Sequence, residues 1–477
     1  MKIQSCALSK IMNGIHSGSD VFIDGICTDT RSLKKGDLFF ALSGPNFDGH
    51  YFIDEAIKQG AIAAVVSKNT TAAITTIKVN DVKHALGDMA GYWRSRFTSP
   101  VVAITGSNGK TTVKEMIAAI MIQRGRALST QGNFNNEIGV PLTLLRILPD
   151  EDQFAVIEMG ANHVGEIAYL THLACPDVAI VTNVSDAHLE GFGSRDNIAQ
   201  AKSEIFLGLR EHGVAVINAD DQYVDVFKKK AAAYKTLTFG FAPNANIRAT
   251  NVTTLSHDAD NTFGTHVELE TPIGEMQFNL SLPGHHNVMN ALAATTACTA
   301  LNFSVENIVQ GLQSMGAVTG RLEMKTGING IRLIDDTYNA NPASFRAAIA
   351  VLASGKGHKI IVIGDMAELG KETQDLHRTV GTMAKEAHID ALYAVGDSGK
   401  VTAESFGSGG ACFATQEELV SALKNDIKVR ALEDVTVLVK GSRSSRMEKV
   451  IHALMVSDDS AMGSDRNFVL QSAVGRR

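Results

Sequence analysis

The 477-residue chain has little cysteine, and what it has is unpatterned: Cys6, Cys27, Cys175, Cys298 and Cys412 are scattered with no C-x-x-C pair. An odd, irregular set argues against a disulfide framework and reads as buried thiols in a reducing cytoplasm. Long apolar runs are missing as well. No stretch approaches the ~18 apolar residues of a spanning helix, so no membrane span is expected. The opening, Met1 to Asp20, has no apolar core of signal-peptide length, so no secretory leader is expected. Positive charge is not in excess: 44 Lys and Arg stand against 51 Asp and Glu, a formal net charge of −7. That balance argues against a nucleic-acid partner held by bulk charge, and leaves small anionic substrates open. There are no internal repeats and no coiled-coil heptads.

What is present is ample apolar material, 44% of the residues, enough for a large core. The length points to about three domains at roughly 150 residues each. The chain is organised around Val101 to Gly125. Val101-Val102-Ala103-Ile104 reads as a buried strand. Thr105-Gly106-Ser107-Asn108-Gly109-Lys110-Thr111-Thr112 follows, and then Val113, Met116, Ile117, Ile120 and Met121 recur at helical spacing. Strand, glycine loop and helix in that order make a phosphate cradle. Backbone N–H groups and the positive helix end face the anion, Lys110 adds a point charge, and a threonine hydroxyl can reach Mg²⁺. The general phosphate-loop pattern wants a glycine where Ile104 stands; the glycine is at Gly106, so the loop is tighter.

The segment before this loop, 1–98, mixes short strands and helices. A strand over Asp37 to Ser43 lies between two polar clusters, Thr28-Asp29-Thr30-Arg31 and Asn46 to His50 (with Asp48). Such residues make turns for backbone reasons, and equally can bind a polar ligand. A helix is expected over Asp81 to Phe97, and Ser99-Pro100 is a candidate linker.

In the second segment, 99–317, strands alternate with helices, implying a mostly parallel sheet covered on both faces. Ligands in such sheets sit at the carboxyl ends of the strands. Thr111, Glu158 and His188 all lie just past strand ends, so they can converge on one site. Glu158 directly after a buried strand suits an oxygen ligand of Mg²⁺. A helix from Ser194 to Phe206 has Ser194 as N-cap, and Lys202 interrupts its apolar stripe, either snorkelling outward or held in a site. Short strands and turns are expected from Ala242 to Thr271. The helix opened by Gly284 carries Asn287 and Asn290 on one face, a spacing that suits a base edge or simply a polar helix face. A second alternating domain, 318–456, has its own row of polar strand ends, with Arg321, the long polar run Asp335-Asp-Thr-Tyr-Asn-Ala-Asn-Pro342, Asp365 and Asp397. The tail 457–477 reads as poorly ordered.

Several motifs in order resemble the Mur ligases and folylpolyglutamate synthases: Thr105 to Thr112, Asn135-Asn136-Glu-Ile-Gly139, Glu158-Met-Gly160, Asn183 to His188, Ala201-Lys202-Ser-Glu204, His286-Asn287 to Asn290, Gly320-Arg321 and Asp335. The resemblance runs from about Thr28 to about Arg446. It implies an α/β protein of three domains: a small mixed N-terminal domain for a UDP-sugar, a central P-loop-type parallel sheet for ATP and Mg²⁺, and a C-terminal Rossmann-like domain for the incoming amine. Gly106, Ser107, Asn108, Gly109, Lys110, Thr111, Thr112, Asn287, Asn290, Arg321 and Asp335 would contact ATP. Thr111 and Glu158 would hold one Mg²⁺, and His188 with a carbamylated Lys202 a second. Lys110, Lys202 and His188 would carry the catalysis.

Within the family, Asp335 to Pro342 and Gly364-Asp365-Met-Ala-Glu-Leu-Gly370 resemble members that join D-alanyl-D-alanine to UDP-N-acetylmuramoyl-tripeptide. Thr28, Asp29, Thr30, Arg31, Asn46, Asp48, His50, Asn135, Asn136, Asn183, Tyr338, Asn339 and Asn341 would then contact substrates. A D-N-P-R-type stretch, typical of the sister that adds the third residue, is absent. The expected protein is a cytoplasmic, monomeric ligase with no nucleic-acid partner. Rival readings are a ligase of the same family with another amino-acid substrate, and a P-loop ATPase that is not a ligase.

Overall fold

The computed structural model describes residues 2–185, 189–257, 262–429 and 434–455. His188 and the tail 457–477 therefore lie outside the described residues. The chain divides into two compact units: 1–318 with 368–371, and 319–367 with the remainder from 372 onward.

In the first unit a nine-stranded sheet runs in the order Ala127–Ser129, Phe154–Glu158, Val101–Thr105, Val178–Val181, Val214–Asn218, Lys235–Gly240, Ile247–His257, Thr262–Thr271, Gly274–Leu280. The first seven strands are mutually parallel. The first five have almost wholly apolar sequences because both faces are covered. Side chains alternate: Val102, Ile104, Val178 and Ile180 enter one core, and Val101, Ala103, Ala179 and Val181 the other. The first core is completed by helix Lys110–Ile122, whose Val113, Met116, Ile117, Ile120 and Met121 are all fully buried, and by helices His285–Ala300 and Val305–Ser314. Val101–Thr105 comes first among these parallel strands in the chain but third in the sheet, with later strands laid down on both sides. The strand order therefore reverses at its carboxyl end, where the phosphate loop begins.

The expected short strands between Ala242 and Thr271 are in fact one long antiparallel ribbon, Ile247–His257 with Thr262–Thr271, extended by Gly274–Leu280. Its threonine- and asparagine-rich composition hides the strands, because one face stays wet. In Gly274–Leu280, Met276, Phe278 and Leu280 are buried while Gln277 and Asn279 are exposed.

The N-terminal part of this unit holds a five-stranded sheet: Ile15–Ser17, Thr75–Lys78, Ala63–Val66, Asp37–Phe40, Gly25–Cys27. Helix Val82–Ser95 joins it to the central sheet. Asp81 caps that helix, accepting from the Lys83 and His84 amides at 2.7 and 3.0 Å. Val82, Ala85, Leu86 and Met89 pack into the N-terminal core, and Ala90 and the following Phe97 into the central one. Arg94, 1% exposed, donates to the carbonyls of Ala174, Cys175 and Phe97. Burial pulls its pKa down to about 10, so the cation is retained. Trp93 donates to the Ile147 carbonyl at 2.9 Å, and Lys83 pairs with Glu137 at 2.6 Å.

The second unit is a six-stranded sheet in the order Glu323–Thr326, Arg332–Asp336, Val435–Lys440, His358–Ile363, Ala391–Val395, Gly410–Phe413. It is parallel except for the antiparallel edge strand Glu323–Thr326. The expected α/β alternation is thus present on both sides of Val318.

Candidate active site

At the end of Val101–Thr105 the loop is held by side chains from the neighbouring strand end. The Asn183 carbonyl accepts from the Ser107 amide at 2.9 Å, and its Oδ1 accepts from the Asn108 amide at 3.1 Å. Thr182 Oγ1 donates to the Asn108 carbonyl at 2.7 Å. Ser107 Oγ accepts from the Ser185 amide at 2.9 Å, and Asn108 Nδ2 donates to Ser185 Oγ at 2.7 Å. The strand after that, Val214–Asn218, supports this arm in turn. Asn218 donates to the Thr182 carbonyl at 3.0 Å, and Asp221 accepts from the Val184 amide at 2.8 Å. Asn183, expected at a substrate, therefore shapes the loop.

Gly109 has φ +82°, a backbone that side chains rarely adopt, and a Cβ there would overlap the Asn290 amide. Helix Lys110–Ile122 starts at once, so its first-turn N–H groups point out of the helix end toward the crevice. Lys110 Nζ folds back to the Gly106 carbonyl at 2.8 Å. Asn287 and Asn290 are both buried: Asn290 donates to Asn287 at 3.2 Å, and Asn287 donates to the Pro283 carbonyl at 2.8 Å. The pair is therefore not a solvated helix face; it backs the loop at Gly109.

Glu158 ends its strand 2% exposed and is fully engaged. Oε2 accepts from Thr111 Oγ1 at 2.9 Å and Oε1 from Asn135 Nδ2 at 2.8 Å. Its amide donates to Thr130 Oγ1 at 2.9 Å. Asn135 thus joins the acidic site, while Asn136 caps helix Gly139–Leu144 through its Oδ1, 2.9 Å from the Gly139 amide. A hydroxyl and a carboxylate meeting beside a helix N-terminus form a hard oxygen donor set, which suits Mg²⁺ shared with phosphate.

Lys202 is 2% exposed on helix Arg195–Ser203, so it does not snorkel. Ser194 caps that helix as expected, accepting from the Asn197 amide at 3.2 Å. Burial, and then the Lys110 charge, push the Lys202 pKa well below the usual lysine value. Among the described residues no carboxylate pairs with it. Glu204 turns the other way and caps helix Glu166–Ala174 through the Gly165 and Ala168 amides.

The two N-terminal clusters follow neighbouring parallel strands, Thr28 to Arg31 after Gly25–Cys27 and Asn46 to His50 beyond Asp37–Phe40. Arg31 and Asp29 pair at 2.6 Å, with Asp29 accepting the Arg31 amide, so this cluster is also a turn. Thr28 and Thr30 are half-buried and Asn46 is exposed. Asp48 accepts from Lys68, His50 and Ser43, and the Lys68 ammonium followed by His50 holds its carboxyl far below the usual carboxylate range. His50 Nε2 accepts from the Ser67 amide at 3.0 Å, which leaves Nδ1–H facing Asp48 at 2.6 Å.

In the second unit, Asp335 is buried, accepting from Thr337 Oγ1 at 2.7 Å and Lys325 Nζ at 2.6 Å. Burial opposes the Lys325 charge, but its hydrogen bonds to Asp335 and Glu323 outweigh that and raise its pKa. The Arg321 guanidinium lies over the Tyr338 ring at 4.3 Å. Asn339 Oδ1 accepts from the Ala340 amide at 2.9 Å, and Asn341 forms a capping box with Ser344 at the start of helix Pro342–Ser354. Lys325 and Lys440 escape a sequence reading. Lys440, 2% exposed, donates to Asp336 and to the Asn339 carbonyl.

Three family profiles match the chain in order: "Mur ligase family, catalytic domain" over 22–94, "Mur ligase middle domain" over 104–298, and "Mur ligase, glutamate ligase domain" over 320–443. The UDP-N-acetylmuramoyl-tripeptide--D-alanyl-D-alanine ligase of Escherichia coli K12 is 44% identical over 450 residues, covering 94% of this chain and 97% of that protein. The chain belongs to the Mur ligase family. Among solved Mur ligases, MurF from Acinetobacter baumannii superposes with TM-score 0.90 at 36% identity, covering 95% of this chain and 99% of that one. MurF ligase from Thermotoga maritima, solved in complex with ADP, gives 0.80 at 30% identity, covering 90% and 96%. The shortened phosphate loop, with Gly106 in place of an earlier glycine, is therefore that of a Mur ligase.

Proposed function

We propose that this Mur ligase joins the amine of D-alanyl-D-alanine to the terminal carboxylate of UDP-N-acetylmuramoyl-tripeptide, converting ATP to ADP and phosphate. Near-full-length relatives carrying that activity in their names support it. The observation that carries it is the meeting of Lys110, Thr111 and Glu158 at the switch point of the sheet, in a chain so related. In this reading 1–98 holds the UDP-sugar, 99–317 holds ATP and the metal, and 318–456 holds the dipeptide and adds Arg321 and Asp335 to the nucleotide. Thr28 to Arg31, Asn46, Asp48 and His50 serve the first role; Tyr338, Asn339 and Asn341 serve the dipeptide. Only Cys27 and Cys298 are buried as expected, while Cys175 and Cys412 are exposed; a reducing cytoplasm, where exposed thiols stay reduced, belongs to this reading.

A carboxylate and an amine do not condense unaided in water, so the carboxylate must be activated. A tripeptide carboxylate oxygen attacks the γ-phosphorus and ADP leaves, giving an acyl phosphate. The dipeptide amine then adds to the carbonyl carbon, loses a proton, and expels phosphate. Phosphoryl transfer of this kind depends on positioning and charge neutralisation. Lys110 and the first-turn amides would hold the β- and γ-phosphates. Thr111 and Glu158 would hold Mg²⁺, and His188 with Lys202 a second ion; bound there, the ions neutralise charge on the phosphates.

Lys202 would act as a carbamate. Its depressed pKa favours the neutral amine, which attacks carbon dioxide; an N–C bond forms and a proton goes to water. An anion then replaces a cation that Lys110 repels.

The test is phosphate release from ATP with UDP-tripeptide and D-alanyl-D-alanine. All three should be required. Release that proceeds equally without the dipeptide would sink the assignment in favour of a plain ATPase.

A further inference from the structure

Lys114 is a charged side chain buried beside the phosphate loop as deeply as Glu158 and Lys202, and the reaction as derived does not use it. It lies on helix Lys110–Ile122, three residues after Thr111 and so on the same face, and is 2% exposed. Its Nζ donates to the Thr130 carbonyl at 2.6 Å and pairs with Glu115, itself 39% exposed, at 2.8 Å. A buried ammonium is costly, and an apolar side chain of similar length would fill the space at lower cost.

Thr130 is what Lys114 holds, and Thr130 is itself a junction. It is 1% exposed and follows strand Ala127–Ser129 directly. Its amide donates to the Val156 carbonyl at 3.1 Å, and its Oγ1 accepts the Glu158 amide at 2.9 Å. The chain after it delivers Asn135 to Glu158 Oε1 at 2.8 Å, and the Asn135 carbonyl accepts the Gly160 amide at 2.8 Å. One face of one helix therefore reaches Glu158 twice. Thr111 binds the carboxylate directly, and Lys114 secures the segment that grips its backbone and its other oxygen.

We propose that Lys114 and Thr130 are positioning residues for the divalent-cation site, fixing the Glu158 carboxylate against Thr111 before any cation or nucleotide arrives. This rests on the reading of Thr111 and Glu158 as cation ligands. Partners that orient a ligand in this way typically change metal affinity by about 10–100-fold when removed.

The experiment is direct titration of Mn²⁺ by electron paramagnetic resonance on the full chain with ADP and no acceptor, so that no turnover is involved. Lys114→Met and Thr130→Val should each weaken Mn²⁺ binding by about tenfold or more. Thr130→Ser, which keeps the acceptor, should stay within about twofold of the parent. ADP binding in EDTA should be unchanged in all three, which a generally damaged phosphate loop would not allow. Unchanged Mn²⁺ affinity in both Lys114→Met and Thr130→Val, while Glu158→Gln abolishes it, overturns the proposal and leaves the ligand assignment standing. Unchanged affinity in Glu158→Gln overturns the ligand assignment itself. If Lys114→Met does not fold, the Thr130→Val and Thr130→Ser pair decides.

Discussion

At the scale of single residues, burial separates groups that look alike in sequence. Lys110, Lys114 and Lys202 are three lysines near one loop. Lys110 turns to the loop carbonyls, Lys114 is spent on Thr130, and Lys202 is enclosed with its pKa depressed. The last has a pH consequence. With the folded pKa below that of the unfolded chain, the unfolded state binds the extra proton between the two values. Unmodified protein should therefore gain stability as pH rises through that window toward 10.5, and Lys202→Met should remove that part of the slope. Urea melts in carbon-dioxide-free buffer at several pH values measure it. Lys202→Ala should nearly abolish ligation and regain part of it with a short added carboxylic acid, whereas Lys110→Ala should stop phosphate release yet leave UDP-tripeptide binding intact. Phosphate assays and calorimetric titration check these two.

Legibility at this scale followed the backbone. Glu158 was readable because a carboxylate ending an apolar strand has few ordinary reasons to be there. Lys202 was readable as an interruption of an apolar stripe, though only the packing decides against snorkelling. Asn287 and Asn290 were readable as a pair, but i, i+3 spacing does not say whether the partner is a ligand or the next loop. Lys114 and Thr130 gave no signal at all, since an interior lysine on a helix and a threonine after a short strand match countless exposed ones.

At the scale of elements, the phosphate loop is shaped as much by Thr182, Asn183 and Ser185 as by its own glycines. Gly109→Ala should raise the dissociation constant for ADP about tenfold, because the positive φ costs about 1–2 kcal/mol for any other residue. Adding Asn290→Ala would relieve the overlap but not the φ, so calorimetry should find only partial recovery. The inner strands of the two large sheets, such as Val101–Thr105, Phe154–Glu158 and Val435–Lys440, could be read from their apolar runs, whereas Lys235–Gly240 and Gly410–Phe413 carry no such run. The ribbon Ile247–His257 with Thr262–Thr271 could not, because a sheet wet on one face tolerates polar residues that read as turns.

At the scale of the whole molecule, the chain parts at Val318, and the phosphate loop with Glu158 and Lys202 lies wholly before that point. A fragment ending at Val318 should bind ADP but release no phosphate from the three substrates, and binding and release assays on it are the check. The N-terminal sheet has no such independence. Helix Val82–Ser95 contributes to two cores at once, and Arg94 spends its guanidinium on carbonyls of the central domain. Arg94→Met should cost about 3 kcal/mol or more, from carbonyls left dry and unpaired, measurable in urea. For recombination between relatives this makes Pro100 a poor crossover point despite its linker-like look. A graft cut there would import a helix whose far side was fitted to another parent's central domain. Exchange between Val66 and Asp81 would instead keep the helix with the carbonyls it serves, but would have to match the apolar face it turns toward the donor sheet.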